Sequence, residues 1–340
     1  MFSLSLFGVS LLFAAWFFFT ASGTNLRYMM ADTLITTQHR HWAKYLIGNE
    51  GLERQVSKYT KQFEEMSQVV STIPVHIPSV TDLAVQEKKL IEIEPVSEGK
   101  FSGYIVSISD PKKIRLGVPG KIGKGEKVSS MVKRTGALLG VNAGGFVDPN
   151  WEGNGFQPTG IVISRGKVYY YDGDDSTPTN IVGIDKDGRM VAGRYTPKQM
   201  REMGIQEAVT FTPKFIVDGK GLVKNQADGW GIAPRTCMAQ KEDGTIMFAI
   251  IDGRQTHSIG ATLFDIQKLF LDRGAIIAAN LDGGSSTVLV HNNEIVNKPA
   301  SPHGERYLPT AFLVFDDPAT ADIKNIWEGL DISQIDPSKW

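Results

Sequence analysis

Short apolar runs separated by turn residues fill the chain between residues 101 and 317, and they constrain the fold more than any other feature. Runs rich in Val, Ile, Ala and Phe between such turns are typical of β-strands. Pairs such as Asp187-Gly188 and Asp243-Gly244 supply the turns. The predicted strands are 103–109, 114–118, 137–141, 160–164, 167–171, 209–211, 214–217, 236–240, 245–251, 275–281, 287–291 and 311–315.

Few helices interrupt these strands. Helices are predicted at 128–135 and 262–271, the second with Thr262 as its N-cap, and a shorter helix is predicted to start at Thr196-Pro197. Because helices do not alternate regularly with strands, the pattern predicts an α+β fold with mixed β-sheets.

Composition narrows the class of protein. With 340 residues, of which 41% are hydrophobic, the chain is long enough for one catalytic domain and its appendages. A net charge of −1 and the lack of a basic stripe argue against nucleic acid as a partner. The single cysteine, Cys237, excludes an intrachain disulfide.

The N-terminal region is predicted to precede the catalytic domain as separate segments. Residues 1–22 are predicted to be a transmembrane helix, because Met1–Phe19 is uncharged and apolar and about 20 such residues span a bilayer. A cleaved signal peptide and a buried helix are the alternatives. Residues 23–69 form a helical stalk, since the spacing of Leu52, Val56, Tyr59, Phe63 and Met66 places them on one helix face. That face either packs on the main domain or forms a short coiled coil.

The remaining boundaries follow from composition. Residues 70–100 are polar and contain proline, which predicts a linker. The catalytic domain is placed at 101–317, and residues 318–340 are taken as a C-terminal tail.

Four predicted strand ends carry glycine together with polar or charged residues. They are 142–146 (Asn-Ala-Gly-Gly-Phe), 233–236 (Ala-Pro-Arg-Thr), 252–254 (Asp-Gly-Arg) and 281–287 (Leu-Asp-Gly-Gly-Ser-Ser-Thr). Glycine allows a ligand to approach the backbone, and neighbouring amides and hydroxyls can form a nest for an anion. Arginine suits bidentate capture of a phosphate. These segments are therefore predicted to converge on one site.

Together the four segments resemble the phosphodiester glycosidase family, which includes the N-acetylglucosamine-1-phosphodiester α-N-acetylglucosaminidase, or uncovering enzyme. The resemblance runs from about Phe101 to Phe315, includes Gly304-Glu305-Arg306, and is greatest to the bacterial branch named exopolysaccharide biosynthesis proteins. It implies a hydrolase that removes a sugar from a phosphodiester in a cell-envelope or exopolysaccharide substrate. It also implies an extracytoplasmic enzyme. The basic residues Arg27, Arg40 and Lys44, which follow the apolar segment, would instead place the C-terminal side in the cytoplasm by the positive-inside tendency. Following the resemblance, we expect a membrane-anchored protein whose catalytic domain lies at the bacterial cell surface.

The family reaction suggests roles for two carboxylates. Breaking an anomeric C–O bond commonly uses a pair of them. We expect Asp282 to lie nearest the anomeric carbon and Asp252 to be the second acid. Alternatively, Asp282 orients Arg235 in an ion pair and Asp252 closes a strand-end turn.

The leaving phosphate calls for cations and hydrogen-bond donors. Arg235 either clamps this phosphate or braces an aspartate. Arg254 either helps Arg235 bind the phosphate or is simply solvated. Asn142 either binds substrate or locks its turn. His257 is either a proton donor or an ordinary loop residue. Glu305 and Arg306 either close the rim of the site or form a surface pair. The predicted binding residues are Asn142, Gly145, Arg235, Thr236, Arg254, His257, Gly283, Gly284, Ser285, Ser286, Glu305 and Arg306.

No cofactor is expected. Asp172-Gly173-Asp174-Asp175 is a candidate structural calcium loop, but it lacks the full 12-residue ligand pattern, which favours an acidic hairpin turn. The expected partners are a sugar phosphodiester or polysaccharide and, through the N-terminal helix, a membrane. Two rival functions stay open: a phosphodiesterase that cleaves P–O, and a non-catalytic glycan-binding module.

Overall fold

The computed structural model describes residues 2–37, 39–71, 75, 77, 88–148 and 154–331, with the backbone only for residues 2–7. Its α-helices are α1 (Phe2–Phe19), α2 (Ala21–Ile35), α3 (Lys44–Gln68), α4 (Val128–Thr135), α5 (Pro197–Glu202) and α6 (Leu263–Leu271). Its strands are β1 (Ile91–Glu98), β2 (Phe101–Ile108), β3 (Ile114–Gly117), β4 (Leu139–Asn142), β5 (Ile161–Ser164), β6 (Lys167–Tyr171), β7 (Thr179–Asp185), β8 (Met190–Tyr195), β9 (Ile205–Val209), β10 (Lys214–Val217), β11 (Lys220–Gly221), β12 (Arg235–Lys241), β13 (Ile246–Ile251), β14 (Ala275–Asn280), β15 (Leu289–His291), β16 (Glu294–Ile295) and β17 (Ala311–Val314).

The described strands form three antiparallel sheets. Their strand orders are β1-β2-β13-β12-β14-β10-β11, β16-β15-β4-β17-β3 and β6-β5-β9-β7-β8. The α+β class is confirmed, but mixed sheets were expected, and the neighbouring strands instead pair antiparallel throughout these sheets. The glycine turns that separate the strands make short hairpins, such as the one joining β7 to β8, and a short hairpin can only join antiparallel strands.

The seven-stranded sheet is buried on both faces. In β13, Phe248 and Ile250 face the large core shared with the second and third sheets, whereas Met247 and Ile251 face a second core under α6. Such double burial explains why this strand is a continuous apolar run with no polar alternation. The ends of these central strands carry the candidate site.

The helical region at 23–69 packs on the catalytic domain. Tyr59 and Met66 of α3 are buried, and the ring of Phe63 makes an edge-to-face contact with Trp230 at 5.0 Å. Lys214 of β10 donates from Nζ to the carbonyl of Val69, just after the last turn of α3, at 2.5 Å. Of the two alternatives for this stripe, the structure therefore shows the helix packed against the domain.

The first helices form a bent pair. Taken singly, none of the helices in the described part of the chain is both long enough and apolar enough to cross a membrane. Gly8–Phe19 and Ala21–Ile35 meet the length and composition criteria only together, with a bend of 79° between them. The transmembrane helix expected at 1–22 thus corresponds to α1 and the start of α2, with Met1 outside the described residues.

Two expected boundaries differ in the structure. Much of the predicted linker at 70–100, including Ile73, Pro74 and Pro78, lies outside the described residues, but Ile91–Glu98 forms β1 at the edge of the first sheet. In the predicted tail at 318–340, Ile323 and Trp327 are buried in the main core, so this stretch extends the domain. Residues 332–340 of that tail lie outside the described residues.

Candidate active site

Asp282 lies where the first two sheets meet. It follows β14, and its amide donates to the carbonyl of Ala143, just after β4, at 2.9 Å. The side chain of Asn142 donates from Nδ2 to the carbonyl of Asp282. Its Oδ1 atom accepts from the hydroxyl of Thr236 at 2.9 Å and from the amide of Val288 at 3.0 Å. Asn142 is fully buried, so losing these bonds would leave polar groups unpaired. Asn142 and Thr236 therefore fix the backbone behind Asp282.

The Asp282 carboxyl is only partly satisfied. Burial raises its pKa to about 6, while the Ser286 hydroxyl, the positive charge of Arg306 and the Gly283 amide oppose the rise. Its Oδ2 atom is buried, and no described residue forms a hydrogen bond with it. A carboxyl with one oxygen unpaired and a pKa close to neutral is suited to exchange a proton or to interact with developing positive charge.

The turn after Asp282 uses most of its own donors. The amide of Gly284 donates to the carbonyl of Pro234 at 2.9 Å, and the amides of Ser286 and Thr287 donate back within the turn, to Gly283 and Gly284. Gly284 adopts a φ of +60°, which favours glycine. The expected anion nest of amides is therefore largely occupied, since a 3-10 turn consumes these donors.

Arg235 braces the cleft wall. It is 3% exposed, and it donates to the carbonyls of Ala261 at 3.1 Å, Trp230 at 2.5 Å and Gly231 at 2.8 Å. Burial lowers its pKa to about 10, which leaves the guanidinium charged at neutral pH. Arg235 was expected either to clamp phosphate or to brace an aspartate. These hydrogen bonds brace the 230–231 loop, not an aspartate.

Arg254 and Arg306 present positive charge to the cleft. Arg254 is solvent-exposed with a φ of +57°, and its guanidinium has no hydrogen-bond or ion-pair partner within the described ranges. Surrounding protein lowers the pKa of Arg254. Arg306 forms an ion pair with Asp148, donates to the Ser285 hydroxyl at 3.1 Å and lies over the ring of Phe146. A cation held in a strained backbone conformation is typical of a functional site.

These groups line a cleft of about 500 Å³. The side contributed by the catalytic domain comprises Phe211, Trp230, Ala233, Pro234, Arg235, Arg254, Asn280, Asp282, Gly283, Gly284, Ser285, Ser286 and Arg306. The facing wall is Thr33, Leu34, Thr36, Thr37 and His39, from the end of α2 and the turn after it. This wall was not predicted, because its residues follow no catalytic motif.

Other predicted residues lie outside the cleft lining. Gly145 is next to cleft-lining Phe211, while Asn142 and Thr236 are buried behind Asp282. Glu305 accepts from the amide and hydroxyl of Ser129 at the start of α4, at 2.7 Å and 2.5 Å. Its carboxylate is thus engaged at a helix N-terminus, where negative charge is stabilised.

Asp252 and His257 form a separate cluster. The Asp252 carboxylate accepts from the side chain of Asn297 at 2.9 Å and the amide of Lys298 at 3.1 Å. His257 lies 3.1 Å from its other oxygen. Neither residue lines the cleft, although Arg254, two residues after Asp252, does. The role of Asp252 as a second acid stays a prediction.

The carboxylates of the candidate calcium loop accept hydrogen bonds from nearby groups of the chain. Asp174 accepts from Ser176 and Thr177, which together lower its pKa to about 2, and Asp172 accepts from the amide of Gly160. Across the described ranges, no group of three or more His, Cys, Asp or Glu side chains is arranged to hold a metal ion.

Comparison with known proteins gives matches to one family and to several solved structures. Residues 135–315, just over half of the chain, match the phosphodiester glycosidase family. An uncharacterised SPbeta prophage-derived protein of Bacillus subtilis strain 168, YomE, is 30% identical over 182 residues, which cover 51% of this chain and 27% of that protein. The chain therefore spans about a quarter of the length of that curated relative.

Solved structures share the fold. The zebrafish N-acetylglucosamine-1-phosphodiester alpha-N-acetylglucosaminidase catalytic domain, described as auto-inhibited by its pro-peptide, aligns with a TM-score of 0.58 at 22% identity, covering 73% of this chain and 89% of that one. A hypothetical protein from Synechocystis aligns with a TM-score of 0.50 at 14% identity, covering 66% and 62%. At these identities the likeness concerns the fold alone.

Proposed function

Because the chain belongs to the phosphodiester glycosidase family, we propose that it hydrolyses the glycosidic bond of a sugar-1-phosphodiester. The observation that carries the proposal is the buried Asp282 carboxyl, with its unpaired Oδ2 and raised pKa, in a cleft lined by Arg254 and Arg306. Negative and positive groups thus face one space large enough for a sugar and its phosphate.

The carboxylate and the two arginines have different roles in this reaction. Asp282, ionised above pH 6, lies nearest the anomeric carbon and stabilises the positive charge that develops as the C–O bond breaks, or takes a proton from the attacking water. The leaving phosphate monoester is a stable anion whose second pKa is about 6, so it needs little help from a general acid. Arg254 and Arg306 stabilise it instead. Among the described residues that line the cleft, Asp282 is the one carboxylate. We therefore propose that it is enough for the reaction, and that Asp252 supports the strand end beside it instead of acting as the expected second acid.

The proposal includes a location. α1 is uncharged and its side chains Leu12 and Phe19 are 74% and 88% exposed, which supports a membrane-anchored protein. We propose that the catalytic domain is extracytoplasmic and acts on a cell-envelope or exopolysaccharide phosphodiester, as the family resemblance implies.

Hydrolysis in isotope-labelled water tests the reaction. The full chain is incubated in ¹⁸O-water with sugar-1-phosphate methyl diesters, and the label is expected in the released sugar. Label in the phosphate would instead identify a phosphodiesterase that cleaves P–O. Binding without turnover of any such diester would favour a glycan-binding module.

A matched pair of variants tests the site. Asp282→Asn should lower turnover by about three orders of magnitude, whereas Asp187→Asn, an exposed carboxylate in the turn between β7 and β8, should leave it unchanged. Wild-type turnover by Asp282→Asn would refute the assignment of Asp282.

A further inference from the structure

Hydrogen bonds and close backbone contacts hold the bend between α1 and α2. Arg27 of α2 donates to the carbonyls of Phe17 at 3.0 Å and Phe18 at 3.3 Å, and so satisfies the exposed end of α1. The same guanidinium donates to Leu46 of α3 at 3.2 Å. A Cβ at Gly23 would lie 2.2 Å from the carbonyl of Trp16, so the two helices touch backbone to backbone. The direction of α1 is therefore fixed relative to the domain.

This bend places the cleft near the level at which α1 ends. α2 has 15 residues and is about 22 Å long. α1 need only insert into a bilayer, not cross it, for this geometry to hold. If α1 inserts along the bilayer normal, the 79° bend leaves α2 within about 11° of the membrane plane, and its far end rises by only about 4 Å. Thr33 and Leu34, in the last turn of α2, are cleft-wall residues. The cleft then opens beside the membrane surface.

Exposed apolar side chains continue from the cleft wall toward α1. Met29 and Met30 are 46% and 42% exposed, and each lies one helical turn before a wall residue, Thr33 or Leu34, on the same face. On the other side of the wall, the exposed ring of Trp42 stacks on His39 at 4.5 Å. We call Met29 and Met30 the apolar strip. Apolar side chains gathered beside a charged cleft, on the route to an apolar helix, suit a lipid chain.

We propose that the substrate is a sugar-1-phosphodiester whose second alcohol is a membrane lipid, with the lipid chain lying along the apolar strip. This inference rests on the proposed function and names the aglycone of that same site. Water supplies a hydroxyl to the anomeric carbon, and the C–O bond electrons stay with the phosphate oxygen. The water proton passes through Asp282 to solvent. The products are a free sugar and a lipid phosphate monoester that stays in the bilayer.

A pair of substrates with one sugar-1-phosphate tests the aglycone. The full chain in lipid vesicles is given a diester of a long prenyl alcohol in the same bilayer, or a methyl diester in solution. The prenyl diester should be hydrolysed with at least a tenfold higher kcat/KM. Equal rates, or faster hydrolysis of the methyl diester, would overturn the inference while leaving the proposed function standing. If neither diester is hydrolysed, the proposed function itself fails and the inference falls with it.

A double variant tests the apolar strip. Met29→Ser with Met30→Ser should lower kcat/KM about tenfold for the prenyl diester and leave the methyl diester unchanged. Ile122→Ser, which removes a still more exposed apolar side chain (65%) of the catalytic domain, is the control and should change neither rate. An equal effect on both diesters, or none on either, would overturn the role of the strip. Crosslinking of Met30→Cys chains to each other would identify the strip as a contact between copies and would also overturn it.

Discussion

Replacing Asp282 by asparagine should stabilise the fold while it abolishes turnover. Burial raises the pKa of this carboxyl from 3.8 to about 6, and each pKa unit is worth about 1.4 kcal/mol. Keeping the ionised form in the folded protein at pH 7 therefore costs about 3 kcal/mol. Asparagine has nearly the same shape and no charge, so the variant avoids that cost. A catalytic group that opposes stability is expected at an active site.

The sign of this effect sets its pH dependence. Because the folded protein holds the Asp282 proton more tightly than the unfolded chain does, the cost is absent below the unfolded pKa of 3.8. It grows between pH 3.8 and 6 and is complete above pH 6. The difference in unfolding free energy between variant and wild type should therefore widen from under about 1 kcal/mol at pH 4 to about 3 kcal/mol at pH 7.

Urea unfolding of both proteins between pH 4 and 7 measures this difference. Asp187→Asn controls for the loss of one negative charge outside the cleft. Because hydrogen bonds from Lys186 and Arg189 lower the pKa of Asp187, this variant should gain no stability over the wild type as the pH rises. A difference that does not change with pH, or a wild type more stable than the variant at pH 7, would refute the burial argument.

Four further outcomes are expected. The kcat/KM of the wild type should fall about tenfold per pH unit below pH 6, as Asp282 is protonated, and a flat profile would count against its ionised role. Arg254→Gln should raise KM at least tenfold in steady-state assays, because its guanidinium has no structural partner in the described chain; an unchanged KM would place the phosphate elsewhere. Asp252→Asn should lower the unfolding free energy by about 2 kcal/mol yet keep kcat/KM within tenfold, since its carboxylate is bound outside the cleft; a loss equal to that of Asp282→Asn would make it catalytic. Gly231→Ala should loosen the N-terminal wall, because Gly231 has a φ of +65° and its Cβ would lie 2.6 Å from the carbonyl of Asp32; unchanged protease cleavage near residue 37 would contradict this.

Local signals in the sequence predicted much of the domain. The helix predicted from Thr262 begins there, because the Thr262 hydroxyl and the Asp265 carboxylate cap each other's backbone amides. The apolar run before Asp282 is β14, and Thr196-Pro197 starts α5 as predicted. Each of these depends on neighbours within a few residues, which is why a single sequence contains them.

Features that depend on distant residues were not predictable. The strands β7 and β8 were missed because Gly183 and Gly193 interrupt their apolar pattern, and pairing with β9 and with each other stabilises them. The direction of the Asp252 side chain is set by Asn297 and Lys298, 45 and 46 residues later. The wall at Thr33 exists because its hydroxyl meets the amide of Ile232, 199 residues away.

The buried hydrogen bonds of Asn142 also determine at which stage of folding the cleft forms. They join β4 to groups 94, 140 and 146 residues further along the chain. Closing loops of that length is slower than forming a hairpin, so this junction forms late in folding. A nascent chain that has not yet produced Val288 therefore has no finished cleft. Any activity of this cleft can begin only after synthesis has passed that residue.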